Sequence, residues 1–239
     1  MSIFVLIRRA VFAVGFAILI PSPAAADVLY SVDDGTAEVS IGSVTGPLTF
    51  GNQFTAVVGG TTITSVLIAW GGFIADGVAL TAKLWSDPNG DGNPSDAVLL
   101  ASVAGVTAGA NTNTFISYDL PDVILSVGQS FFVGATVNQL GSDFPIAGDR
   151  TPPISNQSWA IGAADFGIGG GILTNLGTFA NTSADALVRA NATTIPEPGS
   201  LALLGLALGG VVVARHRNRR TRRQFWPDRS ARNPGEGTC

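Results

Sequence analysis

The sequence predicts an all-β protein whose central region, residues 27–194, forms an antiparallel β-sandwich of jelly-roll-like type. This region is rich in Gly, Thr, Val, Ala and Phe, and clusters of turn residues recur roughly every dozen positions. Its apolar side chains alternate with polar ones at a period of two. A length of 168 residues is sufficient for one well-buried domain, and no repeat of solenoid or propeller length is visible.

Alternation identifies the strands in order along the chain. In the third predicted strand the apolar residues Leu80, Ala82 and Leu84 share one face, and Thr81 and Lys83 share the other. The predicted strands are Gln53–Val58, Thr62–Trp70, Val78–Trp85, Val98–Val103, Thr114–Tyr118 and Ser130–Val137, followed by two around Ser158–Ile161 and Ala186–Ala190, with a flexible loop at Gly167–Gly171.

Residues 1–26 have the parts of a secretory signal peptide. Arg8 and Arg9 form the positively charged segment, and an apolar helix follows over residues 10–20. Ala24 and Ala26 supply the small residues of the predicted cleavage site. The exported protein is therefore expected to begin near residue 27.

The C-terminal part is organised differently. Pro196, Glu197 and Pro198 predict an exposed, extended spacer, because proline fixes φ and lacks an N–H group. The uncharged segment 199–214 would form a helix about 24 Å long, which is short of the roughly 30 Å hydrocarbon core of a bilayer. A cluster of arginines directly after it nevertheless favours a single transmembrane helix over a core helix, because such residues mark the cytoplasmic side. These topology residues are Arg215, Arg217, Arg219, Arg220, Arg222 and Arg223.

This order of parts over residues 195–223 resembles the PEP-CTERM sorting signal of exopolysaccharide-producing bacteria. The resemblance implies recognition by exosortase, a membrane-embedded cysteine protease, and processing near Pro196, Glu197 and Pro198. It also implies export, a transient inner-membrane intermediate, and delivery to the cell envelope or the extracellular matrix. Residues 224–239 extend past the arginines and are expected to form a disordered cytoplasmic extension.

Charge and composition exclude several functions for the exported region. Residues 27–195 carry 14 acidic and three basic side chains, a net charge of −11. Nucleic acid is excluded as a partner, because its binding needs a clustered positive face. The chain has one cysteine, Cys239, and one histidine, His216. Both lie in the C-terminal tail, so the exported region has neither residue type. Disulfides, a Cys nucleophile, a Ser-His-Asp triad and His- or Cys-ligated zinc are therefore excluded there.

One loop has the pattern of a cation site. Asp87, Asn89 and Asp91 stand at alternate positions before a glycine, as at the start of an EF-hand calcium loop. The twelfth position is Val98, where that pattern requires a glutamate, and Asp96 comes too early. The same residues also suit a hairpin turn. Two interpretations stay open: a turn, and a site for calcium, the candidate cofactor.

Other residues offer weaker functional signals. Two carboxylates, Asp33 or Glu38 together with Asp149, could form the acid pair of a glycoside hydrolase, although nothing in the sequence brings them together. The residues Trp70, Trp85 and Trp159 are candidates for stacking on sugars, but tryptophans in strands usually serve packing.

The sequence therefore predicts an exported, non-enzymatic surface or extracellular-matrix protein that exosortase sorts and processes. The alternative is a calcium-dependent carbohydrate-binding module of the exopolysaccharide matrix. The expected partners are exosortase, the inner membrane during sorting, and either exopolysaccharide or other surface proteins.

Overall fold

The computed structural model describes residues 27–42, 45–179 and 183–194. The described residues belong to one compact unit, which ends at residue 195. They form thirteen strands and two short 3₁₀ helices, Pro94–Asp96 and Leu176–Thr178. The strands are β1 (Val28–Tyr30), β2 (Val39–Ile41), β3 (Gly46–Thr55), β4 (Thr62–Ile68), β5 (Ala79–Ser86), β6 (Val98–Val106), β7 (Ile116–Ile124), β8 (Ser130–Gln139), β9 (Ile146–Asp149), β10 (Ser158–Ile161), β11 (Leu173–Asn175), β12 (Asp185–Ala186) and β13 (Val188–Thr193).

Three antiparallel sheets make up the domain. One has four strands in the order β1-β13-β4-β7, one has six in the order β11-β10-β3-β8-β5-β6, and a small one has the order β12-β9-β2. The main hydrophobic core takes its residues from both the four-stranded and the six-stranded sheet. The domain is therefore a β-sandwich, and the all-β antiparallel class predicted from the sequence is confirmed. The jelly-roll-like strand order stays a prediction.

The period-two alternation decides which side chains enter this core. In β8, Phe131, Val133 and Ala135 are fully buried members of the main core. Between the sheets, the ring of Phe50 on β3 meets the ring of Trp70 edge-on, with centroids 5.9 Å apart. Burial of these large apolar surfaces is the main stabilising contribution to the fold.

A second, smaller core covers the outer face of the six-stranded sheet. Residues 162–166, here called the strap, lie against this face. Within the strap, Asp165 pairs with Lys83 at 2.9 Å and accepts a hydrogen bond from the indole N–H of Trp85. The ring of Phe166 packs on Trp85 with centroids 4.9 Å apart. The strap therefore covers Lys83 and Trp85 on this outer face.

A buried asparagine ties the sheets together. Asn52 on β3 is fully buried, and its amide nitrogen donates to the carbonyls of Ala186 and Val188, each at 2.8 Å. Its carbonyl oxygen accepts a hydrogen bond of 2.7 Å from the hydroxyl of Ser158 on β10. This one side chain thus forms hydrogen bonds to β10, β12 and β13, which belong to three different sheets.

Several strand boundaries differ from the predicted ones. β3 spans Gly46–Thr55 instead of Gln53–Val58, and the predicted strand Ala186–Ala190 is divided between β12 and β13. β7 continues through Pro121, because β7 is an edge strand and Pro121 falls in an irregular part of its pairing with β4. The strands β1, β2, β9 and β11 are not predicted, because three or four residues are too few for alternation to show.

Candidate functional site

The residues predicted to direct sorting lie outside the described residues. These are Pro196, Glu197 and Pro198, the helix 199–214 and the arginines from Arg215 to Arg223, together with the signal peptide and its Ala24 and Ala26. In the described part of the chain, no helix has the length and apolarity needed to cross a bilayer.

The predicted calcium loop connects β5 to β6. Asp87 is almost fully buried, and its two carboxylate oxygens accept the backbone N–H groups of Gly90 and Gly92, both at 3.0 Å. Asn89 accepts the N–H of Asp91 at 2.9 Å and donates its own amide to the Asp91 carboxylate at 3.0 Å. These bonds shape a tight turn.

The structure adds Asp96 to this loop. The 3₁₀ helix Pro94–Asp96 turns the chain back, so that carboxylate oxygens of Asp87, Asp91 and Asp96 lie within 4.8 Å of one another. The Oδ1 atom of Asp96 is buried and has no hydrogen-bond partner among the described residues. Three converging carboxylates, one with an unpaired oxygen, match the oxygen ligands that calcium prefers.

The tryptophans do not form an open platform. Trp70 is buried in the main core, where its indole N–H donates to the hydroxyl of Tyr118 at 3.0 Å. Trp85 is buried beneath the strap. Trp159 is partly buried against the same small core. The expectation that Trp70 or Trp85 stacks on a sugar is therefore wrong, because neither ring face is accessible.

The acidic residues near β2 form a second cluster. Carboxylate oxygens of Asp34, Glu38 and Asp149 lie within 4.8 Å of one another. Asp149 is 3% exposed, and its oxygens accept the N–H groups of Asp34 and Thr151, each at 2.7 Å. Glu38 accepts the backbone N–H of residue 150 at 2.7 Å. Their hydrogen bonds give these carboxylates a role in holding the N-terminal segment on β9.

Asp33, the other predicted member of an acid pair, is not part of this cluster. It makes a bidentate ion pair with Arg189, whose guanidinium stacks over the ring of Phe115 at 4.1 Å. Burial raises the pKa of Asp33 above its ordinary value of 3.8, although Arg189 acts in the opposite direction. Asp33 is thus engaged by Arg189, whereas the carboxylate of Glu38 meets that of Asp149.

A shallow polar pocket of about 100 Å³ opens beside β2, and we call it the Asn111 pocket. It combines hydroxyl, carboxylate and amide groups from three distant segments of the chain. Both asparagines that line it have positive φ, +59° at Asn111 and +58° at Asn113. Sequence reasoning missed this pocket; the one local signal is the Asn-Thr-Asn pattern, since asparagine tolerates positive φ better than most residues. Its lining residues are Ala37, Glu38, Val39, Ser40, Trp70, Gly71, Asn111 and Asn113.

The fold and the composition define the described part of the chain as an acidic β-sandwich domain. Residues 194–220 match the protein family described as the PEP-CTERM protein-sorting motif. The match includes Pro196, Glu197 and Pro198 and four of the arginines, and it ends before Arg222. No curated protein matches the chain significantly.

This match confirms the sorting motif predicted from the sequence. The motif implies exosortase as the processing enzyme, together with export and a membrane-associated sorting intermediate. The chain is thus an exosortase-targeted surface protein whose sorting segment directly follows a β-sandwich.

Proposed function

We propose that this protein is a non-enzymatic β-sandwich displayed in the cell envelope or extracellular matrix after exosortase cuts it near Pro196, Glu197 and Pro198. The sorting motif at residues 194–220 is the observation that carries the proposal. In this role Glu197 is part of a recognition sequence and the ectodomain is the cargo.

Two features of the ectodomain support a non-enzymatic role. Residues 27–195 contain no Cys or His, which removes the usual nucleophile and base pairs. Glu38 and Asp149, whose carboxylate oxygens lie within 4.8 Å of each other, both accept backbone N–H groups, and Asp149 is buried. These hydrogen bonds give both carboxylates a structural role, and the buried Asp149 is out of reach of a substrate.

Processing tests the proposal in the producing cell. A triple alanine variant of Pro196, Glu197 and Pro198 should fold but accumulate uncut in the membrane fraction, as seen by immunoblotting. A matched control carries alanine at Pro234 and Glu236, which are the same residue types outside the matched segment. Normal release of the triple variant would refute the sorting role.

The second candidate function is calcium binding by residues 87–96, here called the Asp87 loop. Such a site would be the calcium-binding part of a calcium-dependent carbohydrate-binding module. The converging carboxylates of Asp87, Asp91 and Asp96, and the unpaired buried oxygen of Asp96, favour it. A cation would offset the repulsion among these carboxylates, and Asn89 could add its side-chain oxygen. The buried tryptophans give no support to the carbohydrate half.

Thermal unfolding of the full chain in detergent micelles tests the calcium site. At about 100 times its Kd, calcium should stabilise the folded state by roughly 2.7 kcal/mol, and extracellular modules bind with Kd values of about 10⁻⁴ to 10⁻³ M. Asp96→Asn should abolish the shift in Tm, whereas Asp122→Asn, an exposed acid on β7, should preserve it. An equal Tm with calcium and with chelator would leave only the turn.

A further inference from the structure

We propose that the Asn111 pocket and the neighbouring pair of Phe73 and Phe144 form a binding site for a neutral polysaccharide. The site is separate from the sorting motif and uses none of the Asp87 loop. It rests on the proposed function only in that export brings the domain to extracellular polysaccharide.

The pocket offers hydrogen-bonding groups suited to sugar hydroxyls. Ser40, Glu38 and the two asparagines supply hydroxyl, carboxylate and amide groups around one opening. The side chain of Asn111 makes no hydrogen bond within the part of the chain that the structure describes, and its residue is exposed. Its amide is therefore available to a ligand as both donor and acceptor.

The size of the pocket limits the kind of ligand. The volume of the pocket is about 100 Å³. Enclosed sites for drug-sized molecules usually measure about 300 to 1,000 Å³. A pocket this small suits the hydroxyl-bearing edge of a larger molecule that lies mostly on the surface, as a polysaccharide chain does.

An aromatic surface lies next to the pocket. Phe73 is 81% exposed and Phe144 is 39% exposed, and their rings meet edge-on with centroids 5.9 Å apart. Phe73 lies two residues after Gly71, which lines the pocket. The backbone oxygen of Phe144 packs closely against the backbone of Gly71. Exposed rings beside polar groups can stack on the apolar face of a sugar while its hydroxyls enter the pocket.

The backbone at this site is unusual. Phe73 has φ +65°, a conformation that is rare for a bulky side chain and unfavourable for it. Three of the four described non-glycine residues with positive φ, Phe73, Asn111 and Asn113, line or adjoin this pocket. The other, Asn156, does not line it. Strain of this kind is often retained where it places a side chain for function.

Hydrogen bonds fix the segment that carries Phe73. Gly71 N–H donates to the carbonyl of Pro145 at 2.9 Å, and Gly72 N–H donates to the hydroxyl of Ser40 at 2.7 Å. Asn111 N–H donates to the carbonyl of Trp70 at 2.9 Å. The aromatic pair and the pocket are therefore held in place before a ligand arrives, which lowers the entropy lost on binding.

Charge selects a neutral ligand. Glu38 lines the pocket, and carboxylate oxygens of Asp34 and Asp149 lie within 4.8 Å of its own. An anionic polysaccharide would meet like charge at this opening, whereas a neutral one would not.

The test is binding of the full chain, in detergent micelles, to arrayed neutral oligosaccharides of glucose, galactose, mannose and N-acetylglucosamine, with an alginate oligosaccharide for comparison. We expect binding to at least one neutral series, in calcium and in chelator alike, and none to alginate. Phe73→Gly and Asn111→Gly should each weaken that binding at least tenfold. Both variants should fold, because glycine suits the positive φ at these positions.

The matched control is Ile172→Ala, since Ile172 is 85% exposed and does not line the pocket. It should bind like the wild type. Absence of binding to every neutral series, or unchanged binding by both glycine variants, would overturn the proposal. Either variant should still be processed by exosortase, so a failure here is distinguishable from a failure of the sorting role.

Discussion

Replacing Asn52 with alanine should be among the most destabilising single changes in the sandwich. The substitution removes two hydrogen bonds to the carbonyls of Ala186 and Val188 and one from the hydroxyl of Ser158. Each bond contributes about 1 kcal/mol, and buried partners left unpaired add a further penalty of about 1 to 3 kcal/mol each. Since water or a shifted side chain would satisfy part of them, we expect a total loss of about 4 kcal/mol.

That loss can be measured as a change in melting temperature. With an unfolding entropy of about 2.1 cal/mol/K per residue, the 168-residue domain should lose about 11 °C in Tm. The assay is tryptophan fluorescence during thermal unfolding of the full chain in detergent micelles. Asn191→Ala is the control, because Asn191 is only partly buried and its amide makes a single, longer hydrogen bond of 3.2 Å to Ser65.

The control should lose at most about 3 °C, equivalent to about 1 kcal/mol. A double-mutant cycle with Ser158→Ala should show coupling, because both variants remove the same hydrogen bond. If Asn52→Ala lost no more than the control, the reasoning that this amide links the sheets would be refuted.

Two further predictions concern packing on the six-stranded sheet. Asp165→Asn should lower the free energy of unfolding by about 2 kcal/mol, because it leaves the largely buried Lys83 ammonium without its charged partner. Adding Lys83→Met to this variant should recover part of the loss in Tm. Absence of any recovery would argue against the ion pair. Gly134→Ala should prevent folding, because a Cβ there would overlap the backbone of Phe50 and Gly51, well inside 3.0 Å. Gly90→Ala, where φ is +71° but space is open, should cost only about 1 kcal/mol, and equal Tm values for the two glycine variants would contradict the packing argument.

The long strands were predictable because their information is local. In β5 and β8, alternation along ten or fewer residues identifies the strand and the side chains that face the main core. The strap had no such signal. Its position depends on Asp165 and Phe166 meeting Lys83 and Trp85 some 80 residues earlier.

The candidate sites likewise combine residues that local sequence patterns predict with residues that only long-range contacts bring in. Asp87, Asn89 and Asp91 could be selected from their spacing alone, whereas Asp96 joins them because the 3₁₀ helix Pro94–Asp96 reverses the chain. The EF-hand pattern requires its last ligand at position twelve, so a comparison with that pattern does not select this loop. The Asn111 pocket could not be predicted, since its walls come from residues 37–40, 70–71 and 111–113, which meet only after the sheets have paired.

The last strand of the sandwich, β13, lies in the interior of its sheet, between β1 and β4, and pairs Ala192 with Val28 at the beginning of the domain. It ends at Thr193, one residue before the matched sorting segment. The four-stranded sheet can therefore connect β1 to β4 only when β13, at the end of the domain, is present. A chain truncated within β13 would lack both the strand that completes the fold and the segment that exosortase reads. The strand that joins β1 to β4 and the sorting segment are thus neighbours in sequence, so a cut after residue 195 leaves every described strand intact.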